Sequence, residues 1–372
     1  MLRRADSVDF IFPLDGVMLT DTAGQKTDEG LIIKISVDAP SGRHYCINGK
    51  PMTESMHELY TCDYTLKDYK TTLVLTSDAE EKAREIDVYY LRKAYYRYRF
   101  SLDDNIRFLR DLDANKGVYR SMFENPYLKL LKTMHDKHGT KYHINVYWET
   151  PDDGGFCIKD MTDKFKSEFI ANSDWIRMSF HANAHLPQRP YGHATYEQVY
   201  REAARINEQI VRFAGEETFS KTVVTVHWGD ISVEGAKALR DLGYKAFVSS
   251  YKWNTANGVD IRSYCDDRQV NILQKYGFWY DRELDIYHFR YNGGIQNVQP
   301  ENFPALFAKQ EKDAPLYRFK DICLHEQQFY PDFPKYQPNY YEKMDAATSW
   351  CDEHGYKPIL MDELFEFNTH KN

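Results

Sequence analysis

The chain has 372 residues, of which 42% are hydrophobic and 28% charged, and its formal net charge is −8. This composition excludes a disordered chain, and the acidic balance without any basic run argues against a nucleic-acid-binding protein. The length suggests two domains, and no apolar stretch is long enough to span a bilayer. Residues 1–6 lack the apolar core of a secretory signal. We therefore expect a cytoplasmic protein, or a secreted one if a signal peptide has been removed.

The first part of the chain, residues 1–93, is predicted to form a small antiparallel β-sandwich of the immunoglobulin-like kind. Alternating runs at 30–37, 71–75 and 85–91 are separated by turn sequences such as 39–42, and no convincing helix interrupts them. Short strands at this spacing are typical of two packed antiparallel sheets.

From residue 94 to the end at 372, predicted strands and helices alternate. This rhythm predicts a parallel sheet, and about seven units favour a closed (β/α) barrel over an open sheet. The predicted strands are 142–148, 175–180, 223–226, 245–249, 319–324 and 357–361, and the predicted helices are 163–172, 196–213, 234–242 and 340–354.

Polar side chains follow three of the predicted strands. An alternating aromatic run ends in Asp103 and Asp104, a short apolar run precedes His181 and His185, and His325 closes a third strand. The carboxyl ends of parallel strands meet at one edge, which is where α/β proteins build their sites. Two imidazoles and a carboxylate are ligands for a divalent metal. The pattern favours a metal-dependent hydrolase.

Each of these pairs also has a purely structural alternative. Asp103 or Asp104 could cap a helix that begins near Ile106. His181 and His185, spaced i and i+4, would project from one face of a helical turn, where they could share a metal or simply be surface groups.

Two further regions offer candidate side chains. His227 closes another predicted strand and could be structural or part of the site, and Trp228 follows it. The segment 149–155 combines acids with turn residues, so it is more typical of a solvated turn, although Trp148 or Asp153 could line a pocket.

The segments 100–104, 181–185 and 323–325 and the chain end at 355–360 resemble motifs of the polysaccharide deacetylases. These are metal-dependent carbohydrate esterases on a distorted (β/α) barrel, and the resemblance covers about residues 94–372. It implies a carbohydrate substrate and a divalent metal, most simply zinc, with cobalt or nickel also suited to the ligands.

The resemblance also implies roles for individual residues. Asp103 would be the catalytic base and His325 the catalytic acid. Asp104, His181 and His185 would be the metal ligands.

One family motif differs in this chain. The family carries an Arg-Pro-Pro-Tyr-Gly-like strand end, whose arginine orients the base, where this sequence has 226–230. Arg189 and Tyr191 lie close to the histidine pair and are candidate pocket residues, as are His227 and Trp228.

Two other functions stay open at the level of sequence. A barrel without the family's arginine could bind a glycan without hydrolysing it. A glycoside hydrolase would need two carboxylates across a cleft, for which Asp103 with Glu149 or Asp153 are the candidates. The sequence does not predict the sugar or the oligomeric state.

Overall fold

The computed structural model describes residues 8–79, 84–253 and 258–365. The described residues do not include residues 1–6, from which the cellular compartment was predicted. They also do not include the first residues of the predicted domain 1–93 or the last residues of the predicted domain 94–372. No helix within the described ranges is long and apolar enough to cross a membrane.

The N-terminal part consists of short strands. In chain order they are β1 (Asp9–Phe12), β2 (Met18–Leu19), β3 (Gln25–Thr27), β4 (Gly30–Asp38), β5 (Tyr45–Ile47), β6 (Lys50–Pro51), β7 (Thr53–Met56), β8 (Leu59–Leu66), β9 (Lys70–Ser77) and β10 (Arg84–Tyr90).

These ten strands form two sheets of five. One has the order β1-β4-β8-β7 with β3 on β4, and the other has the order β2-β10-β9-β5-β6. All the pairings are antiparallel except β2 with β10, which are parallel. Alternate residues of each strand point to one face, so Ile33 and Ile35 of β4 share a hydrophobic cluster with Leu73 and Leu75 of β9. The sandwich arrangement itself stays a prediction.

The rest of the chain alternates strands and helices. Its elements are β11 (Arg97–Asn105), α1 (Arg107–Ala114), α2 (Pro126–His138), β12 (Tyr142–Tyr147), α3 (Lys166–Ala171), β13 (Ile176–Ala182), α4 (Tyr196–Ala214), β14 (Val223–Val224), α5 (Val233–Asp241), β15 (Ala246–Ser249), α6 (Asp267–Tyr276), β16 (Phe278–Asp281), β17 (Ile286–Arg290), β18 (Gly293–Gly294), α7 (Phe303–Asp313), β19 (Phe319–His325), α8 (Tyr340–Glu353) and β20 (Lys357–Pro358). The mixed α/β class predicted from the sequence is confirmed.

The strands of this part form two sheets. The larger, called the central sheet below, is wholly parallel and has the order β13-β12-β11-β19-β18, with β20 on β11. The smaller has the order β14-β15-β17-β16, and its last pair is antiparallel. A single bridge from Met178 to Phe219 extends the central sheet toward β14. A closed barrel of about seven strands therefore remains a prediction.

Side chains of the central sheet divide sharply between its two faces. One face carries apolar groups such as Phe100, Ile144, Met178 and Ile322, which pack in the main hydrophobic cluster. The opposite face is equally buried but polar, with Arg99, Ser101, His143, Asn145, Ser179 and Asp321. Parallel strands buried on both faces are normally apolar on both. The polar face therefore marks the side of the sheet that supports a site.

The N-terminal sheets do not stand apart from the rest of the chain. Their hydrophobic cluster includes Val270 and Leu273 of α6 and Trp279 of β16. The boundary at residue 93 remains a prediction, because this core is built from both sides of it.

Candidate metal centre

A break in the regular strand brings two adjacent acids to the same cavity. In a regular strand, Asp103 and Asp104 would point to opposite faces. The pairing of β11 with β12 shifts register between Leu102 and Asn105, and Asp104 has a left-handed φ of 61°. Bulges of this kind re-aim side chains beside active sites. Here the shift lets both carboxylates line one cavity.

Asp104 lies in a compact, buried group with two imidazoles. Its Oδ1 is 3.1 Å from His181 Nε2 and 3.3 Å from His227 Nδ1, and these two nitrogens are 3.3 Å apart. One ligand atom from each of the three residues lies within 4.8 Å of the others. This group is called the Asp-His-His cluster below.

Backbone carbonyls orient both imidazoles of the cluster. His181 Nδ1 lies 2.6 Å from the Thr225 carbonyl, and His227 Nε2 lies 3.2 Å from the His185 carbonyl. A carbonyl can only accept, so both of these nitrogens carry hydrogens. The opposite ring nitrogens then face Asp104, and this is the arrangement that metal-ligating histidines usually have.

The chemistry of this donor set fits a divalent metal. Two imidazole nitrogens and a carboxylate oxygen converge on one point, where their electron pairs would repel unless a cation or a proton lay between them. Zinc is the simplest match for two nitrogens and one oxygen, and cobalt or nickel would suit the same atoms.

Further contacts hold the Asp104 carboxylate. The Tyr147 hydroxyl donates to Oδ1, and Gln327 Nε2 donates to Oδ2 over 2.5 Å. Burial by itself raises the pKa of Asp104. Without a metal, N–H groups of His181 and His227 would donate to the carboxylate, and these contacts outweigh burial and hold the pKa of Asp104 well below its usual value. Asp104 is therefore an ionised, acceptor-only group.

Asp103 and His325 flank the cluster on neighbouring strand ends. Oδ1 of Asp103 accepts from Asn145 Nδ2 at 2.6 Å and from Ser101 Oγ at 2.9 Å. Oδ2 has a weaker contact, 3.5 Å from the Cys323 thiol. Among the described residues, His325 Nδ1 is buried without a hydrogen-bond partner. Both groups line the cavity and have atoms left for a ligand.

The cavity over this cluster has a volume of about 750 Å³. A second one of about 380 Å³ adjoins it, and Asp104, His185 and Gln327 line both. The main cavity is bordered by Asp103, Asp104, His181, His185, His227, Trp228, His325 and Gln327.

His185 sits differently from the expectation of a helical i, i+4 pair. His181 belongs to strand β13, and His185 follows in a bend, so the two side chains do not share a helical face. The His185 side chain is 62% exposed, and its Nδ1 lies 3.9 Å from Asp104 Oδ2. His227, 5.7 Å from His185 between ring centroids, occupies the buried position instead. A ligand role for His185 stays a prediction.

The other predicted pocket residues divide into two groups. Trp228 lines the main cavity with His227, and Asp153 lines the second cavity. The remaining three have partners elsewhere: Trp148 lies against the Arg205 guanidinium, Arg189 pairs with Asp230 at 2.6 Å, and the buried Tyr191 donates to Glu202.

The acids proposed for a glycoside hydrolase are engaged in other contacts. Asp153 forms ion pairs with Arg107 at 2.6 Å and with Arg110 at 3.2 Å. Glu149 accepts from Asn183 Nδ2 at 3.1 Å.

Helix α1 is capped by a residue that the sequence did not single out. Glu326, directly after His325, accepts from the backbone N–H groups of Ile106, Arg107 and Phe108 at 2.5–2.9 Å. The capping alternative proposed for Asp103 or Asp104 is therefore unnecessary, because an acid directly after β19 satisfies this helix end. Glu326, Gln327 and Asn145 have only one sequence signal, their position on or just after a predicted strand.

No family model and no curated protein matches the chain. Among solved structures, the chain is similar to a chitin deacetylase of the fungal pathogen Colletotrichum lindemuthianum, with 10% identity, 74% of this chain and 89% of that chain covered, and a TM-score of 0.39. It is similar to a 4-alpha-glucanotransferase of Thermococcus litoralis, with 13% identity, coverages of 74% and 41%, and a TM-score of 0.45. It is also similar to a CE4 family pseudoenzyme of Bacillus anthracis, with 9% identity, coverages of 79% and 75%, and a TM-score of 0.33. All three TM-scores are below 0.5, so these likenesses by themselves do not indicate a function for this chain.

Proposed function

We propose that the protein removes acetyl groups from a carbohydrate by metal-dependent hydrolysis. The observation that supports this most strongly is the buried Asp-His-His cluster of Asp104, His181 and His227. Its three residues line a cavity of about 750 Å³, with the proposed acid–base pair Asp103 and His325 on adjacent strand ends.

The cluster would hold the metal through Asp104 Oδ1, His181 Nε2 and His227 Nδ1. A divalent metal bound there supplies a Lewis acid that polarises the acetyl carbonyl and makes a water molecule more acidic. The hydrogen bonds from Tyr147 and Gln327 keep the Asp104 carboxylate in place.

Asp103 acts as the base. Asn145 and Ser101 hold its Oδ1, so Oδ2 is the oxygen left to take a proton from the water that attacks the acetyl carbon. The nearby Cys323 thiol is only a weak donor and does not block this oxygen.

His325 acts as the acid, giving a proton to the departing amine or alkoxide. Its Nδ1 is buried without a hydrogen-bond partner among the described residues, and His325 lines the same cavity as Asp103. Because the base must start deprotonated and the acid protonated, the rate should show a bell-shaped pH profile.

The carbohydrate part of the proposal rests on the sequence motifs and on the cavity walls. Trp228 and Phe333 contribute aromatic rings to the cavity lining, and Asn297 and Gln328 contribute amides that could bind hydroxyl groups. We also propose the domain architecture that goes with this function. A β-sandwich at residues 1–93 is followed along the chain by a distorted (β/α) barrel at residues 94–372.

The test is acetate release from a panel of N- and O-acetylated oligosaccharides, before and after chelation and after zinc is restored. We expect release by the zinc-loaded protein, loss on chelation and recovery with zinc. Glycan binding that is insensitive to chelator, without acetate release, would favour the binding module. Chelator-resistant release of reducing sugar would favour a glycoside hydrolase.

A further inference from the structure

A continuous row of hydrogen-bonded side chains lies beneath the cluster, on the buried polar face of the central sheet. Arg99 Nη2 is 3.1 Å from His143 Nδ1, and His143 Nε2 is 2.9 Å from Ser179 Oγ. Ser179 Oγ is 3.1 Å from Asn145 Oδ1, and Asn145 Nδ2 is 2.6 Å from Asp103 Oδ1. Three strands, β11, β12 and β13, supply these residues in turn.

Every hydrogen bond of this row has a defined direction, beginning with Arg99. A guanidinium can only donate, so His143 Nδ1 must accept and its Nε2 must carry the hydrogen. Nε2–H then donates to Ser179 Oγ. The single hydroxyl hydrogen of Ser179 is left for Asn145 Oδ1. The amide hydrogens of Asn145 are left for Asp103 Oδ1 and Ser101 Oγ.

The other end of the row gives the same direction independently. An ionised Asp103 carboxylate can only accept, which requires the NH2 group of Asn145 to face it. The amide oxygen of Asn145 therefore faces Ser179, which must donate to it and accept from His143. Both ends thus place a hydrogen on His143 Nε2, and the contact with Arg99 leaves Nδ1 without one, so the ring is neutral.

Arg99 is itself fixed from two sides. Its Nη1 pairs with Asp321 at 3.0 Å, and both side chains are buried. Its Nη2 also donates to Thr225 Oγ1 at 2.8 Å. The carbonyl of the same Thr225 orients His181 of the cluster. Thr225 therefore contacts both Arg99, the first residue of the row, and a histidine of the cluster.

We propose that Asn145 is a positioning residue for Asp103, and that the directed row from Arg99 through His143 and Ser179 holds its amide in the required orientation. If the amide of Asn145 were reversed, its oxygen would face the Asp103 carboxylate. The hydrogen bonds from Asn145 to Asp103 and from Ser179 to Asn145 would then both be lost. In a buried network such a loss is costly, so the row selects one orientation. The inference rests on the proposed function in assigning Asp103 as the base.

The first measurement is the hydrogen position on His143, read from long-range ¹H–¹⁵N spectra of ¹⁵N-histidine-labelled wild-type protein. Its signals are assigned by their absence in His143→Gln. We expect a neutral ring with hydrogen on Nε2. A ring with hydrogen on Nδ1, or a charged ring, at pH 7 would overturn the directed row.

The second measurement compares Asn145→Ala with Asn125→Ala, a matched loss of a buried amide. Asn125 caps α2 through the Leu128 N–H and contacts Asp111, away from the row. We expect Asn145→Ala to lower kcat about 100-fold, with KM changed less than about threefold and zinc content unchanged. Asn125→Ala should lose stability but keep its kcat.

The results separate this inference from the proposed function. If Asn145→Ala keeps kcat within about threefold of the wild type, the positioning role is wrong. If the wild type releases no acetate, the proposed function fails and the catalytic role of Asn145 fails with it. The His143 spectrum still decides the row itself in that case.

Discussion

Asp103 of β11 and His325 of β19 are direct register partners on neighbouring parallel strands. Adjacent strands lie about 4.8 Å apart, so the backbone hydrogen bonds of the sheet set the separation of these two residues. In the proposed reaction the base and the acid thus sit on rigid elements, which favours the fixed geometry that acid–base catalysis needs.

Replacing Asp103 with Asn should remove the base without removing the metal. The amide cannot accept the water proton, so we expect kcat to fall about 10²- to 10⁴-fold. Zinc content should stay at the wild-type level because Asp104 is untouched. Acetate release and metal analysis on one preparation check both points. Near-wild-type turnover would show that another group is the base.

His227 and His185 can be told apart by their zinc affinity. His227→Ala removes a buried nitrogen 3.3 Å from Asp104 Oδ1, whereas His185→Ala removes a side chain that is 62% exposed. Calorimetric zinc titration should show a loss of at least about 100-fold for His227→Ala and less than about tenfold for His185→Ala. The reverse ranking would restore the ligand set implied by the sequence.

Glu326→Ala should destabilise the fold near the site. Without this carboxylate, the three N–H groups at the start of α1 lose their acceptor in a buried environment. We expect a loss of about 2–4 kcal/mol in the free energy of unfolding, measured by urea denaturation. Glu326→Gln, which keeps an acceptor oxygen, should lose less. Glu234→Ala, on the exposed first turn of α5, is the control and should change the value by less than about 0.5 kcal/mol.

His288 should make the protein less stable in acid. It lies buried between the hydroxyls of Tyr251 and Tyr264, each 2.8 Å from a ring nitrogen, and burial lowers its pKa to about 3. The unfolded chain binds this proton at about pH 6.5, whereas the folded chain binds it only near pH 3. Protonation of the unfolded state therefore lowers the free energy of unfolding as the pH falls from about 6.5 toward 3.

The expected slope from His288 is about 1.4 kcal/mol per pH unit, measured by urea denaturation between pH 6.5 and 4.5. His288→Phe should flatten the dependence by this amount, even if its stability at pH 7 is lower. His44→Gln, at an exposed histidine, should leave the slope unchanged. An unchanged slope in His288→Phe would mean that His288 is not the group responsible.

Much of the secondary structure followed from local patterns. The predicted helices 196–213 and 340–354 correspond to α4 (Tyr196–Ala214) and α8 (Tyr340–Glu353), because long helical segments carry a strong local signal. Sheet closure depends on contacts between distant strands and carries no local signal. The closed barrel was therefore predicted only from the number of strand–helix units, and whether the two sheets of the C-terminal part close stays a prediction.

The site was predictable where it depends on strand ends. Asp104 and His181 meet because their strands end at one edge of the sheet. The choice between His185 and His227 depends on the bend after β13 and on the path of the chain near β14, and residue spacing does not encode either. The proposed role of Asn145 could not be predicted from the sequence for a related reason. It depends on contacts that form only when β11, β12 and β13 lie side by side.

The most direct test of the metal centre is the metal content of purified protein by plasma mass spectrometry. It should be compared in the wild type, Asp104→Ala and Asp103→Asn after incubation with zinc, cobalt or nickel and removal of free ions. The proposed site predicts close to one metal ion per chain in the wild type and in Asp103→Asn, and almost none in Asp104→Ala. Absence of bound metal from the wild type, or equal metal in all three proteins, would contradict it.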